Sequence, residues 1–284
     1  MSHEVDIVRA VADLRNRVRY WRDQGLGVAL VPTMGALHQG HMSLISHALE
    51  VADRVVASIF VNPIQFGPGE DFARYPRQEA EDAAQLSKAG CHLLFAPQVA
   101  EMYPDGFSTQ VRVTGLSEGL CGAARPGHFD GVSTVVSKLL LQVQPSVALF
   151  GEKDYQQLAV IRRMVRDLDI PVSVRGVEIV REEDGLALSS RNAYLTAEQR
   201  AIAPALYRVL CATAEALAAG GAASDLCPAA AQSLVAAGFD SVDYLELREA
   251  DTLAPVESVV RPSRLLVAAR LGTTRLIDNV ALTP

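Results

Sequence analysis

Two histidines three residues apart sit in a glycine-punctuated stretch, Met34-Gly35-Ala36-Leu37-His38-Gln39-Gly40-His41, directly after a short apolar run. Gly35 and Gly40 let a backbone approach a ligand closely, and a helix opening here presents unpaired N–H groups to a phosphate. His38 and His41 lie near one another if this turn is helical. Each can donate to a phosphate oxygen, and a protonated ring adds charge where a transition state needs it. The pair alone fits two other readings: a structural histidine pair, or an HxxH metal site with no third ligand at a recognisable spacing.

Lys153 tips the balance towards phosphate. It sits between Gly151 and Asp154 at the end of another apolar run, where a compact ammonium can neutralise β- or γ-phosphate charge. Ser189, Ser190 and Arg191 follow Gly185 and supply two hydroxyls and a guanidinium fork, the parts of a mobile phosphate clamp. Gln65 and Gln157 both donate and accept, which suits hydroxyl and carboxylate oxygens of a small polar substrate. Arg125 and His128 offer two more positive groups, as a substrate lid or as a polar turn. Glu81 and Asp82 read as the solvated face of a helix, with magnesium binding through a carboxylate as the alternative.

These residues need a frame. Apolar runs at 28–31, 55–61, 91–95, 107–113, 147–150 and 172–180 read as strands, and helical patterns fall between many of them at 42–52, 77–89, 131–144 and 155–168. Continuous apolar strands suit a sheet covered on both faces, and strand–helix alternation predicts a Rossmann-like, doubly wound parallel α/β sheet. Ligands then bind beyond the carboxyl ends of the strands, where the loops named above lie. Ahead of the first strand, Ile7, Val11, Leu14, Val18 and Trp21 form one apolar helical stripe ended by Gly25 and Gly27. Behind the sheet, Thr196 and Gln199 make a capping box opening an Ala-rich helix that Pro204 kinks or shortens. A further helix near 225–237 stops at Gly238, and three strands near 241–248, 264–271 and 275–282 follow. The expected division is a nucleotide-binding domain over 1–179 and a smaller α+β lid domain over 180–284.

Composition narrows the function. A net charge of −7 without a long basic run argues against a nucleic-acid binder. The acidic start, with Glu4 and Asp6, is no secretory signal, and Pro204 with several charges interrupts the most apolar stretch, 201–223; a cytoplasmic protein without a membrane span is expected. Cys91, Cys121, Cys211 and Cys227 contain no CxxC pair and read as free thiols.

His38-Gln39-Gly40-His41 resembles the HxGH signature of the nucleotidyltransferase superfamily, and Leu188-Ser189-Ser190-Arg191 is similar to that superfamily's second loop. Five blocks in order, PTMGALHQGH, FVNPIQFGPGEDFARYPR, RPGHFDGV, GEKDYQQL and DGLALSSRN, closely resemble the pantothenate synthetase (pantoate–β-alanine ligase) family and run from 32 to 192. The resemblance implies an ATP-dependent ligase that makes pantoyl adenylate and pyrophosphate from pantoate, then pantothenate and AMP with β-alanine. It implies ATP contacts along Met34, Gly35, Ala36, Leu37, His38, Gln39, Gly40 and His41, at Gly151, Glu152, Lys153 and Asp154, at Val180, and at Leu188, Ser189, Ser190 and Arg191. His41 would be the catalytic acid, assisted by His38, Lys153 and Arg191. Gln65 would hold pantoate and then β-alanine, and Gln157 would hold pantoate. Magnesium and a homodimer belong to the same implication. The competing readings are another nucleotidyltransferase acting on a phosphorylated acceptor and a non-catalytic nucleotide sensor; an acidic chain this short disfavours a tRNA-charging enzyme.

Overall fold

The computed structural model describes residues 4–284. The chain begins with a short strand, β1 (Asp6–Val8), and helix α1 (Val11–Asp23), then β2 (Val28–Thr33), α2 (Gln39–Val51) and β3 (Arg54–Ile59). After a long loop come α3 (Glu79–Ala89), β4 (Leu93–Phe95) and the single turns α4 (Val99–Met102) and α5 (Cys121–Ala124). The half closes with α6 (His128–Val143), β5 (Val147–Gly151), α7 (Tyr155–Asp167) and β6 (Ser173–Val177). All six strands are parallel in the order β1-β4-β3-β2-β5-β6. The predicted doubly wound sheet is therefore present.

Strand residues alternate between two cores. Leu30, Val56 and Phe95 pack with α1, α6 and α7, whereas Ala29, Val31, Ala57 and Leu94 pack with α2 and α3 on the opposite face. The chain winds outward from β2 through β3 to β4, then returns to place β5 on the other side of β2. Neighbouring connections thus leave in opposite directions at β2 and β5, opening a crevice at their carboxyl ends.

The second unit contains α8 (Ala197–Ile202), α9 (Ala205–Ala218), α10 (Ala223–Ala236) and an antiparallel sheet of β7 (Ser241–Glu249), β8 (Ser263–Leu271) and β9 (Thr274–Leu282). The Thr196–Gln199 capping box forms, and Pro204 divides α8 from α9 as its sequence position predicts. One face of the sheet meets these helices through Leu245, Val267 and Leu276. The other turns Tyr244, Leu266 and Ile277 towards the core beneath α7. The stretch Ala197–Ala218 is long and apolar enough to cross a membrane by composition, despite Pro204, but it buries Leu206, Leu210 and Leu217 in the second core.

Three expectations change. Ile7 does not begin α1; it lies in β1, paired with Leu94, because the backbone stays extended through Ala10 before the helix starts. Residues 107–113 form no strand: Val111 gives its N–H to the Thr134 hydroxyl on α6 rather than to a ladder. The strands expected over 55–61, 91–95 and 172–180 are shorter, at Arg54–Ile59, Leu93–Phe95 and Ser173–Val177, and Phe60 lines the crevice.

Candidate active site

β2 delivers the chain to Gly35 and Ala36, both left-handed at φ 83° and 51°. This tight turn is held from α3. Asp82 accepts from the backbone N–H of Ala36 at 2.9 Å and of Leu37 at 2.8 Å, and its side chain is almost wholly buried. Asp82 is therefore no part of a solvated helix face, while Glu81 beside it is exposed. With both oxygens on backbone N–H groups, Asp82 serves the loop rather than a metal.

The turn ends at His38, which caps α2. His38 Nδ1 accepts from the Gly40 N–H at 3.1 Å, and His41 Nδ1 accepts from the His38 N–H at 3.3 Å. A nitrogen that accepts carries no proton, so both rings are the Nε2–H tautomer. Gly40 is required by this packing, because a Cβ there would lie 2.9 Å from the His38 ring. The rings stand 4.1 Å apart.

Burial, with Lys153 second, lowers the His38 pKa to about 4; burial, with His38 second, lowers that of His41 to about 3. In the unliganded protein at neutral pH both rings are therefore uncharged donors. An HxxH metal site is excluded by the same bonds, and among the described residues no group of three or more His, Cys, Asp or Glu could hold a metal ion.

Positive charge comes from the opposite wall. β5 ends at Gly151, and the turn Glu152–Asp154 leads into α7. Asn279 on β9 donates to the carbonyls of Glu152 at 2.8 Å and Lys153 at 3.1 Å, and Arg264 on β8 binds the Glu152 carboxylate at 2.6 Å. The second unit therefore fixes the turn, and the Glu152 side chain faces that unit. Lys153 Nζ is 3.9 Å from Asp154, beyond hydrogen-bond length, and lines the cleft.

The loop carrying Leu188, Ser189, Ser190 and Arg191 forms the third wall. Ser189 caps the short helix Ser190–Tyr194 by accepting from the Arg191 N–H. The hydroxyls of Ser190 and Tyr75 are 3.4 Å apart. The Arg191 guanidinium, expected to be free for phosphate, is held by both oxygens of Asp71 at 3.0 Å each. Upstream, Arg181 binds Asp278 bidentately and stacks on Tyr207, anchoring the loop to β9.

One cleft brings together Met34, His38, Gly40, His41, Gln65, Gly151, Lys153, Asp154, Gln157, Val180 and Leu188 through Arg191. Gly35, Ala36, Leu37, Gln39 and Glu152 do not line it; they shape the turns behind it. An adjoining cavity shares Lys153, Asp154, Gln157, Ser189 and Arg191. Arg125 and His128 form neither a free lid nor two positive charges. Arg125 makes two 2.7 Å bonds to Glu70 and faces His128 Nε2 at 3.0 Å, so His128 donates through Nδ1 to the Gln65 carbonyl at 2.8 Å. Burial, then Arg125, lowers the His128 pKa to about 4. Sequence reading overlooked Asn62, Asp71, Arg264 and Asn279, which meet Gly131, Arg191, Glu152 and Lys153 far away along the chain.

A crevice at the switch point of a parallel sheet, lined by neutral imidazole donors, an opposed lysine and two glutamines, defines an α/β enzyme built for a small anionic ligand. The chain belongs to the pantoate–β-alanine ligase family, whose model matches residues 6–281. It is 69% identical over 284 residues, all of both chains, to the pantothenate synthetase of Paramagnetospirillum magneticum. It is 60% identical to that of Rhodospirillum rubrum, over 97% of this chain and 98% of the relative. Among solved structures, pantothenate synthetase from Thermus thermophilus matches with TM-score 0.92 at 52% identity, covering 99% and 100% of the two chains. Pantoate-beta-alanine ligase from Francisella tularensis, complexed with beta-gamma ATP and beta-alanine, matches with TM-score 0.83 at 32% identity, covering 97% of each.

Proposed function

We propose that the cleft binds ATP as its magnesium complex beside pantoate and joins pantoate to β-alanine in two steps. A pantoate carboxylate oxygen attacks the α-phosphorus, the α–β phosphoanhydride bond breaks, and pyrophosphate leaves. The β-alanine amine then attacks the acyl carbon of pantoyl adenylate. As the amide bond forms, the acyl–phosphate C–O bond breaks, AMP departs and the surplus protons pass to solvent.

One observation carries this reading: the His38–His41 pair, Lys153, Gln65 and Gln157 line the same cleft. A carboxylate is already a nucleophile at neutral pH, so the first step needs alignment and charge neutralisation rather than a strong base. His38 and His41 donate through Nε2 to phosphate oxygens, and the nucleotide's negative charge raises their affinity for protons. Lys153 neutralises the departing phosphates. Arg191 joins them by exchanging Asp71 for a phosphate oxygen. Gln65 and Gln157 hold pantoate. Magnesium suits a site where it arrives on phosphates with its own waters; the half-exposed Asp154 carboxylate in the cleft is the group to meet it. Residues 180–284 act as the lid that carries Val180 and the Leu188 to Arg191 loop to the nucleotide.

Pyrophosphate release from ATP and magnesium with pantoate, measured with and without β-alanine, tests the scheme. The expected result is a release limited to enzyme concentration with pantoate alone and sustained turnover with AMP once β-alanine is added. No release with pantoate in either case rules it out.

A further inference from the structure

Gly131, in the first turn of α6, points its carbonyl at Asn62, whose Nδ2 is 3.1 Å away. A carbonyl only accepts, so the nitrogen edge of the Asn62 amide must face it and Oδ1 must face away. The Tyr103 hydroxyl, 2.7 Å from that Oδ1, is therefore the donor. The same Asn62 Nδ2 lies 2.9 Å from the Gln65 side chain, which has to present Oε1 there. Gln65 Nε2 is left near Met34 Sδ, 3.1 Å away and a weak acceptor, at the wall of the cleft. A single backbone carbonyl thus sets the direction of every bond from Tyr103 to Gln65.

We propose that Tyr103 is a positioning residue for substrate recognition: by holding the oxygen edge of Asn62 while Gly131 holds the nitrogen edge, it steadies the Gln65 amide with its NH2 edge towards the cleft, so that Gln65 recognises pantoate by donating to one of its oxygens. This rests on the reading that pantoate binds beside Gln65. The relay is buried where an error is costly, with Asn62 inaccessible and Gln65 8% exposed. Without the phenol, Asn62 Oδ1 is left a buried acceptor with no donor, and the amide is held by its nitrogen edge alone. An Asn62 amide anchored on one edge can rock away from Gln65, which loosens its hold on Gln65 Oε1 and with it the aim of Nε2 at the substrate.

The surroundings hold Tyr103 in place. Its ring meets Phe107 edge-on at 5.0 Å and Phe60 at 6.0 Å, with the Lys138 ammonium 5.9 Å from its centroid. Burial pushes the phenol pKa up, so the donated proton stays on its oxygen. The main chain at Gln65 is fixed separately. His128 binds its carbonyl, and a Cβ on Gly131 would come within 2.6 Å of Gln65 Cα and of the Ile64 carbonyl oxygen. With its backbone pinned, Gln65 retains chiefly the turn of its amide, and Asn62, held between Gly131 and Tyr103, removes that freedom.

The test is steady-state kinetics of Tyr103→Phe against wild type, varying pantoate and ATP separately, with melting temperature measured alongside. The expected result is a pantoate KM raised by about tenfold, as the loss of one oriented hydrogen bond allows. The ATP KM stays close to wild type, and the melting temperature falls by only a few degrees, so the variant is folded under assay conditions. Asn62→Asp, which cannot donate to Gly131 or Gln65, should raise the pantoate KM further, and adding Tyr103→Phe to it should change nothing more. An unchanged pantoate KM in Tyr103→Phe, or an equal rise in the ATP KM, overturns the proposal; Tyr103→Phe alone decides if Asn62→Asp fails to fold. Wild-type protein without pantoate-dependent pyrophosphate release fails the functional reading itself and this inference with it, a result distinct from an active wild type beside an unaltered variant.

Discussion

Asp82 reaches from α3 to the backbone N–H of Leu37 at 2.8 Å, joining two segments 45 residues apart, and its second oxygen holds Ala36. Ala36 is left-handed at φ 51°, a conformation costing a non-glycine residue roughly 1 kcal/mol or more. The carboxylate offsets that cost and aims the turn that delivers His38. Asp82→Ala should therefore lower stability by about 3 kcal/mol, the scale of charge-assisted bonds left unmade. It should also cut turnover more than tenfold, with Asp82→Asn intermediate because one acceptor remains. Denaturant unfolding and turnover on the same samples check this; full activity in Asp82→Ala would uncouple the loop from catalysis.

His41→Ala and Lys153→Ala should fold normally yet lose ~10²–10³ in adenylation rate, the usual cost of removing one oriented electrostatic group. Circular dichroism establishes the fold, and pantoate-dependent pyrophosphate release reads the rate. His38→Ala should do the same and also lose about 1 kcal/mol of stability with its helix cap. Wild-type-like release by any of the three would remove that residue from the site.

Acid should weaken the unliganded protein before its carboxylates titrate. His38 and His128 are depressed to about 4 and His41 to about 3, so between the ordinary histidine value near 6.5 and about 4 the unfolded chain binds protons that the folded chain refuses. Stability then rises with pH across this window. It is fully present above about 6.5 and lost as pH falls towards 3. Melting temperature should fall steadily from pH 7 to 4, and His128→Gln should make that slope shallower. A flat profile would mean that the rings are not buried neutral.

Arg181 and Asp278 form a two-bonded ion pair in which the Asp278 side chain is 1% exposed. Asp278→Ala should destabilise by about 3–5 kcal/mol because it leaves a largely buried guanidinium unpaired. Pairing it with Arg181→Met should recover much of the loss, which a double-mutant cycle by chemical denaturation measures. Equal stability of the single and double variants would count against the pair.

Short-range signals carried most of the fold. Five of the six apolar runs read as strands of the first sheet, the Thr196–Gln199 cap and the break at Pro204 each depend on residues within a few positions, and each of these appears. The site loops were legible because glycines and charged groups interrupt apolar runs at strand ends. What escaped depends on distance along the chain. Asp82 looks like any acidic helix residue until the fold brings Ala36 and Leu37 against it. Ile7 fits a helical stripe until β4 offers it a ladder. The 107–113 run has strand composition, but Val111 gives its N–H to the Thr134 hydroxyl on α6 instead of to a ladder. Arg191 resembles an unengaged phosphate ligand until Asp71 meets it.

Lys153 owes the shape of its turn to Arg264 and Asn279, the latter 126 residues further along. During synthesis every strand of the parallel sheet is made before these two residues, so the lysine wall lacks its backbone support until they emerge and dock. The wall that carries the lysine is thus among the last parts completed in the life of a nascent chain. A newly made molecule withholds its chemistry until the antiparallel strands have folded back onto what was made first.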